Sequence, residues 1–340
     1  MNEPLRPFTL GEILDRTMQL YRRNFLLFAG SAAPPSAVMM AMLLAILAVV
    51  GYFARAGVGG VKAHGLAVGI VLIAVVVITV PVEIGAAVIS QAALVRASIS
   101  AHLGQKLRIR EAIKSAWPRF WRYFGLLVLQ GIFVGLIPGA IAGAALGVVF
   151  ALAAAARGGG LATGAAVGFS VFVIAAAAGV AIVLLMLTYS LAMPVCVAEQ
   201  TPAWAAMKRS LKLTKGTRGR IFLMFVLIWA LSMVVLMAAY IPMIVAMAVV
   251  SAMGHGAQYT TAVLVISETI NVLVNFTVQV LVTPVYTTAL VLFYFDQRIR
   301  TEGYDIEWMM EQAGLAGAAV STPGAGAPGI AADGGAGNAG

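Results

Sequence analysis

Long apolar stretches alternate with short basic segments along most of the chain. Six of the apolar stretches are long enough to cross a bilayer, which takes about 20 helical residues. We place them at approximately 27–53, 66–96, 124–156, 161–197, 221–250 and 260–294. The segments before the first, third and fifth stretches put apolar residues on one helical face and basic residues on the other, as in helices at a membrane surface. The pattern therefore predicts an all-α, polytopic integral membrane protein with six transmembrane helices and three cytoplasmic amphipathic helices.

The three amphipathic segments resemble one another. They read "LGEILDRTMQLYRRNFLLF" (10–28), "LRIREAIKSAWPRFWRYFGLL" (107–127) and "PAWAAMKRSLKLTKGTRGRIFLMF" (202–225). Each is followed by two spans, so we predict a three-fold internal repeat of an amphipathic helix plus a two-span hairpin. The repeats cover approximately 8–105, 106–200 and 201–311. They form a single membrane domain, 1–311, and the Gly/Ala-rich tail, 312–340, is predicted to be disordered.

Composition and charge fit this interpretation and orient the chain. Hydrophobic residues make up 61% of the sequence and charged residues only 10%, whereas soluble domains carry about 25% charged residues. Of the 22 lysines and arginines, only Arg55, Lys62 and Arg157 lie in the loops opposite the amphipathic segments. Basic residues collect on the cytoplasmic side, so we expect a multi-pass protein of the inner (plasma) membrane with both termini in the cytoplasm. The same rule explains the net charge of +9 without a nucleic-acid partner.

The largest polar feature inside the membrane lies on the sixth span. Its members recur every three or four residues and therefore share one helical face. They are Glu268, Asn271, Asn275, Gln279, Thr283 and Tyr286. Span two adds Glu83, and neither carboxylate has a lysine or arginine at a matching depth in the membrane. Such groups usually face the interior of the bundle. This polar stripe is either a cavity that handles an ion, a proton or a lipid headgroup, or a set of interhelical hydrogen bonds.

The third span carries glycine at every fourth position from 131 to 147. One face therefore contains Gly131, Gly135, Gly139, Gly143 and Gly147. Small residues at this spacing let another helix approach closely. We expect the partner to be span four, and a second copy of the chain, giving a homo-oligomer, is the alternative.

Six basic residues beside the amphipathic segments are candidate contacts for anionic lipid headgroups. They are Arg22, Arg23, Arg119, Arg122, Lys215 and Arg218. Juxtamembrane basic clusters attract anionic lipids, so the lipid bilayer is the expected partner. The alternative is that these helices only anchor the topology.

Catalytic patterns are absent from the sequence. His64, His102 and His255 are far apart, and no HExxH, GxSxG or P-loop motif occurs. A single cysteine, Cys196, allows neither an internal disulfide nor a cysteine-based metal site. We therefore expect no enzymatic activity, no metal and no cofactor.

Three segments resemble the bacterial family called the glycerophosphoryl diester phosphodiesterase membrane domain. They are "FTLGEILDRTMQLYRRNF" (8–25), "AMKRSLKLTKGTRGRIF" (206–222) and "LFYFDQRIRTEGYDIEWM" (292–309), and the resemblance spans roughly 8 to 311. It implies a multi-helix protein of the bacterial inner membrane, with a link to lipids by association. The chain lacks the His-Arg-Gly start and the carboxylates of a phosphodiesterase barrel, so no catalytic residue carries over.

Two functions remain after these observations. The first is a non-catalytic membrane scaffold or accessory domain that contacts anionic lipid. The second is a transporter or channel for a small or lipid-like solute that uses Glu83 and the polar stripe. A water-sized cavity joining Glu83 to the stripe would favour transport, whereas tight packing around these side chains would favour a scaffold.

Overall fold

The computed structural model describes residues 8–55, 65–155, 160–253 and 257–302. Within these ranges the chain is helical, with short connections and no β-strand. The tail predicted to be disordered, 312–340, lies outside the described residues, as do Arg157 and the loop that holds Lys62.

The described residues form eleven α-helices. In chain order these are α1 (Leu10–Arg23), α2 (Phe25–Arg55), α3 (Gly65–His102), α4 (Ile109–Ala116), α5 (Phe120–Gln130), α6 (Ile137–Ala155), α7 (Leu161–Tyr189), α8 (Ala192–Ala198), α9 (Ala203–Leu213), α10 (Arg218–Met253) and α11 (Ala257–Glu302). A 3₁₀ turn, Trp117–Arg119, joins α4 to α5, and a π-helical segment, Gly131–Leu136, joins α5 to α6.

Six helical stretches are long and apolar enough to cross a membrane. They are Phe25–Val49, Gly65–His102, Ile109–Ala155, Leu161–Ala198, Arg218–Ala238 and Thr269–Glu302. The all-α class and the six predicted spans are thereby confirmed. The third stretch joins the second amphipathic segment to its span without a break, and the last stretch continues past the predicted end at 294.

Helices α1, α4 and α9 are the three short helices expected before the three pairs of membrane-spanning helices. Helix α1 begins at a capping box, in which Thr9 Oγ1 accepts from the Glu12 amide at 3.3 Å and Glu12 Oε2 accepts from the Thr9 amide at 2.8 Å. Its buried face presents Ile13, Thr17 and Tyr21. The three-fold repeat and the placement of these helices at a membrane surface stay predictions.

The tightly packed core lies at the end of the bundle where α11 finishes. Helix α11 packs against α1, α2, α3 and α10. Val291, Leu292, Phe293 and Tyr294 are each at most 1% exposed. Four consecutive helical residues point in all directions, so α11 must be surrounded on every side here. Elsewhere the long helices expose apolar side chains, for example Ile73 and Phe169, as helices that face lipid do.

A buried carboxylate ties the first described residue to α10 and α11. Asp296 is fully buried and accepts hydrogen bonds from the Phe8 amide at 2.7 Å and from Arg220 at 3.2 Å. Arg300 Nε lies 3.0 Å from both carboxylate oxygens. Arg220 and Arg300 also donate to the Phe8 carbonyl, at 3.0 and 2.8 Å. The two ends of the described chain therefore meet at one end of the bundle.

A second ionic cluster joins α9 to α11 beside the first. Arg209 Nε donates to Glu199 Oε2 at 2.9 Å, and its terminal nitrogen donates to Glu302 at 2.7 Å. Burial by itself would lower the pKa of Arg209, but its bonds to Glu199 and Glu302 raise that pKa. Tyr294 donates to Glu199 at 2.9 Å. The acids and bases at the end of α11 therefore pair with α9 and α10.

The glycine face of the third span packs against no helix in the part of the chain that the structure describes. A Cβ atom built on any of the five glycines, Gly131 to Gly147, would have no described atom within 4 Å. Helices α6 and α7 do pack against each other, but through other faces of α6. The expected packing of the glycine face on span four is therefore wrong.

Candidate functional site

A half-open cavity of about 560 Å³ lies between α2, α3 and α11. Helix α3 contributes Glu83, and α11 contributes Asn271, Asn275 and Gln279. The four-residue spacing along α11 turns its three amides to one face, and α2 closes the opposite side. We call this space the Glu83 cavity. Its remaining lining residues are Pro35, Ser36, Met39, Met42, Leu43, Ile46, Val272 and Phe276.

Prolines shape the α2 wall of the cavity. Pro35 lies inside the helix and has no N–H to donate to the carbonyl of Ser31, four residues earlier. Ser90 Oγ of α3 donates to this carbonyl at 2.7 Å. The hydroxyl therefore satisfies the acceptor that the proline leaves unpaired and joins α3 to α2 beside the cavity.

The amides of α11 are held by a short polar chain. Tyr240 of α10 donates to Asn271 Oδ1 at 3.2 Å. Asn275 Nδ2 donates to the Asn271 carbonyl at 2.8 Å and also to Asn271 Oδ1. These bonds orient the Asn271 and Asn275 side chains. The Gln279 side chain makes no hydrogen bond with any described residue, so its amide stays available to the cavity.

The side chain of Glu83 has no hydrogen-bond partner among the described residues. Its Oε2 atom is buried from solvent and unpaired. No lysine or arginine is among the described residues that line the cavity. Buried polar atoms are nearly always hydrogen-bonded, so each exception requires an explanation. A bound solute or an internal water would supply the missing partner.

Buried residues close the Glu83 cavity on one side, and exposed residues border its open side. Pro35 and Ser36 are buried, whereas Met39, Asn275 and Gln279 are exposed. Asn275 and Gln279 therefore lie at the open side of the cavity. Glu83 and Asn271 are only partly exposed.

Four of the six residues predicted for the intramembrane site lie together. Glu83, Asn271, Asn275 and Gln279 all line the Glu83 cavity. Tyr286 does not: its ring stacks on Phe225 with 5.3 Å between centroids, and it lines other cavities. The side chain of Glu268 lies outside the part of the chain that the structure describes.

Five of the six candidate lipid contacts are exposed. These are Arg22, Arg23, Arg119, Lys215 and Arg218. Lys215 and Arg218 line a shallow depression at the α9–α10 turn, where Gly216 has a φ of 86° that favours glycine. Arg122 differs, because it is half-buried and donates to the Gln200 carbonyl at 2.6 Å.

Sequence reasoning missed two groups of polar residues. The first is Asp296 with Arg220 and Arg300, whose burial no local pattern in the sequence indicates. The second contains Gln91, Gln130 and Tyr189, which line a separate cavity. A lone glutamine in each of spans two and three was the available signal, but neither residue belongs to a periodic stripe.

No protein-family model, curated protein or solved structure matches the chain. The resemblance to the glycerophosphoryl diester phosphodiesterase membrane domain therefore stays a prediction.

Proposed function

We propose that the protein is a transporter for a small organic cation and that the Glu83 cavity is its binding site. The observation that carries this proposal is the unpaired, buried Oε2 of Glu83 in a cavity that also holds Asn271, Asn275 and Gln279. A carboxylate attracts positive charge, and amide carbonyl oxygens accept hydrogen bonds from N–H groups. The cavity favours transport over a scaffold, for which these side chains would pack tightly.

The cavity walls favour an organic cation over a hydrated metal ion. Phe276, Met39 and Met42 provide apolar and polarizable surface beside the carboxylate. Cations bind favourably over aromatic faces. A volume of about 560 Å³ falls within the range of small-molecule sites. No basic side chain among the described lining residues competes for Glu83.

The proposal includes a membrane location and an orientation. The protein would lie in the inner membrane of a bacterium with both termini in the cytoplasm. The concentration of basic residues near α1, α4 and α9 supports this orientation. We assign no catalytic activity and no cofactor, because no set of side chains in the sequence forms a nucleophile–base pair.

Uptake by proteoliposomes tests the proposal. We expect saturable uptake of at least one cation from a radiolabelled panel that includes tetraethylammonium, choline and guanidinium. Glu83→Gln keeps the side-chain shape but removes the charge, so we expect uptake to fall about tenfold or more. Asp15→Asn is the control, because Asp15 is exposed on α1 and bonds only to Gln19 among the described residues. Equal uptake by Glu83→Gln and the parent, or no uptake of any cation, would show the proposal to be wrong.

Anionic lipid is a second proposed ligand, at the basic end of the bundle. Lys215 and Arg218 are exposed, line one depression and make no ion pair with a described residue. We expect the double variant Lys215→Gln/Arg218→Gln to retain about half as much phosphatidylglycerol after purification, measured by native mass spectrometry. Phosphatidylcholine retention should not change. Unaltered phosphatidylglycerol retention would indicate that these residues only anchor the topology.

A further inference from the structure

A second cavity, separate from the Glu83 cavity, lies between α3, α5, the π-helical segment, α7 and α11. Its volume is about 460 Å³, and it shares no lining residue with the Glu83 cavity. We call it the Tyr286 cavity. Six of its lining residues carry uncharged polar groups: Gln91, Tyr123, Gln130, Tyr189, Ser190 and Tyr286.

Most of these polar groups have no hydrogen-bond partner among the described residues. Gln91, Tyr123, Tyr189 and Tyr286 make no side-chain hydrogen bond with any described residue. A group that lines a membrane-embedded cavity without a partner is unfavourable unless a ligand or water satisfies it. Four such groups around one space therefore indicate a polar ligand.

The π-helical segment forms part of this site. Gly131 and Gly135 of the segment line the cavity. Gln130, the residue before the segment, donates from Nε2 to the Tyr189 carbonyl at 2.8 Å, so its Oε1 points away from that bond as an acceptor. Short π-helical insertions occur frequently at functional sites. Here the insertion lies beside the cavity and its glycines leave space at the opening.

The cavity opens towards lipid. Met186 and Leu127 at its edge are 47% and 40% exposed, and both belong to membrane-spanning stretches. Gly131 and Gly135 are exposed beside them. Gln91 precedes the basic residue Arg96 by five positions, which is about 7.5 Å along a helix. The polar groups therefore lie just inside the basic end of the bundle, while the opening faces acyl chains.

We propose that the Tyr286 cavity binds an uncharged amphiphile, such as a diacylglycerol, whose hydroxyl and ester groups bond to the tyrosines and glutamines. The lining contains donors and acceptors but no lysine or arginine among the described residues. A phosphate or carboxylate in the cavity would lose its hydration without gaining a charged partner. An acyl chain would leave through the opening beside Met186 and Gly135. This site does not depend on the Glu83 cavity.

Photo-crosslinking in lipid nanodiscs tests this proposal. The probe is a diacylglycerol with a diazirine in one acyl chain, and a phosphatidic acid with the same chain is the charged comparison. We expect saturable labelling by diacylglycerol near Leu127 and Met186, with competition by unlabelled diacylglycerol. Phosphatidic acid should label these positions at least tenfold less. Equal or stronger labelling by phosphatidic acid would overturn the proposal that the cavity binds an uncharged amphiphile.

Two matched glycine variants distinguish binding in the cavity from binding at the lipid-facing surface. Gly135 lines the cavity and Gly143 does not, yet an added Cβ meets no described atom within 4 Å at either position. We expect Gly135→Leu to fill the opening and reduce labelling about tenfold, whereas Gly143→Leu leaves it unchanged. Equal labelling of the two variants would overturn the site.

Conservative variants test the polar groups themselves. Tyr286→Phe and Gln91→Leu each remove hydrogen-bonding capacity with little change in shape. We expect each to weaken diacylglycerol binding about fivefold while the melting temperature stays near that of the parent. Unchanged binding in both variants would show that these side chains do not contact the amphiphile.

Discussion

Replacing Asp296 with alanine is expected to lower the free energy of unfolding by about 3 kcal/mol. The carboxylate is fully buried and receives hydrogen bonds from the Phe8 amide, Arg220 and Arg300. Removing one partner of a buried ion pair typically costs about 3–5 kcal/mol. Arg220 and Arg300 are 30% and 37% exposed and can be hydrated once the acid is gone. This places the effect at the lower end of the range.

The arginines should not contribute equally. Arg300 contacts both oxygens of Asp296 at 3.0 Å, whereas Arg220 contacts one at 3.2 Å. We therefore expect Arg220→Met to be milder than Arg300→Met. Loss of both should approach the effect of Asp296→Ala, because the buried carboxylate would then lack a cation.

Reversible unfolding in mixed SDS micelles measures these changes. Asp15→Ala is the control, because it removes an exposed carboxylate from α1 and should change the free energy by less than about 0.5 kcal/mol. A similar effect for Asp296→Ala and Asp15→Ala would contradict the role assigned to the buried cluster. The expected large difference would establish that this cluster joins the start of the described chain to α10 and α11.

Replacing Glu83 with leucine is expected to stabilise the fold by about 1–2 kcal/mol. Oε2 of Glu83 is buried without a partner among the described residues, so the folded state carries an uncompensated desolvation penalty. Leucine removes that penalty and fits the membrane. A residue kept at a cost in stability is typical of a binding site, where function opposes stability.

Substitution of Ser90, on the same helix as Glu83, is expected to have the opposite effect on stability. Its hydroxyl donates to the Ser31 carbonyl at 2.7 Å, so Ser90→Ala leaves this buried acceptor unpaired and should destabilise by about 1–2 kcal/mol. The same SDS unfolding measurement compares both variants. If Glu83→Leu instead destabilises the protein, the Glu83 side chain stabilises the packing between helices. The transport proposal then loses its main support.

The sequence determined the properties that depend on helical periodicity alone. Apolar length fixed the six membrane-spanning stretches, which agree with the predictions apart from their ends. The i, i+4 spacing placed Asn271, Asn275 and Gln279 on one face. It also suggested that Glu83 and this face could share a site. Each of these inferences depends only on residues within one helix, or on the free-energy cost of placing a carboxylate in lipid.

The tertiary structure decided which faces meet, because this depends on packing between helices that are far apart in sequence. It turned Glu83 towards the amides of α11 but separated Tyr286, which stacks on Phe225. It left the glycine face of α6 open, since α7 packs elsewhere on that helix. It also buried Asp296, a residue 288 positions after its partner Phe8. No local sequence pattern predicts such a contact. Helical spacing determines which side of its own helix a residue lies on, but not which other helix packs against that side.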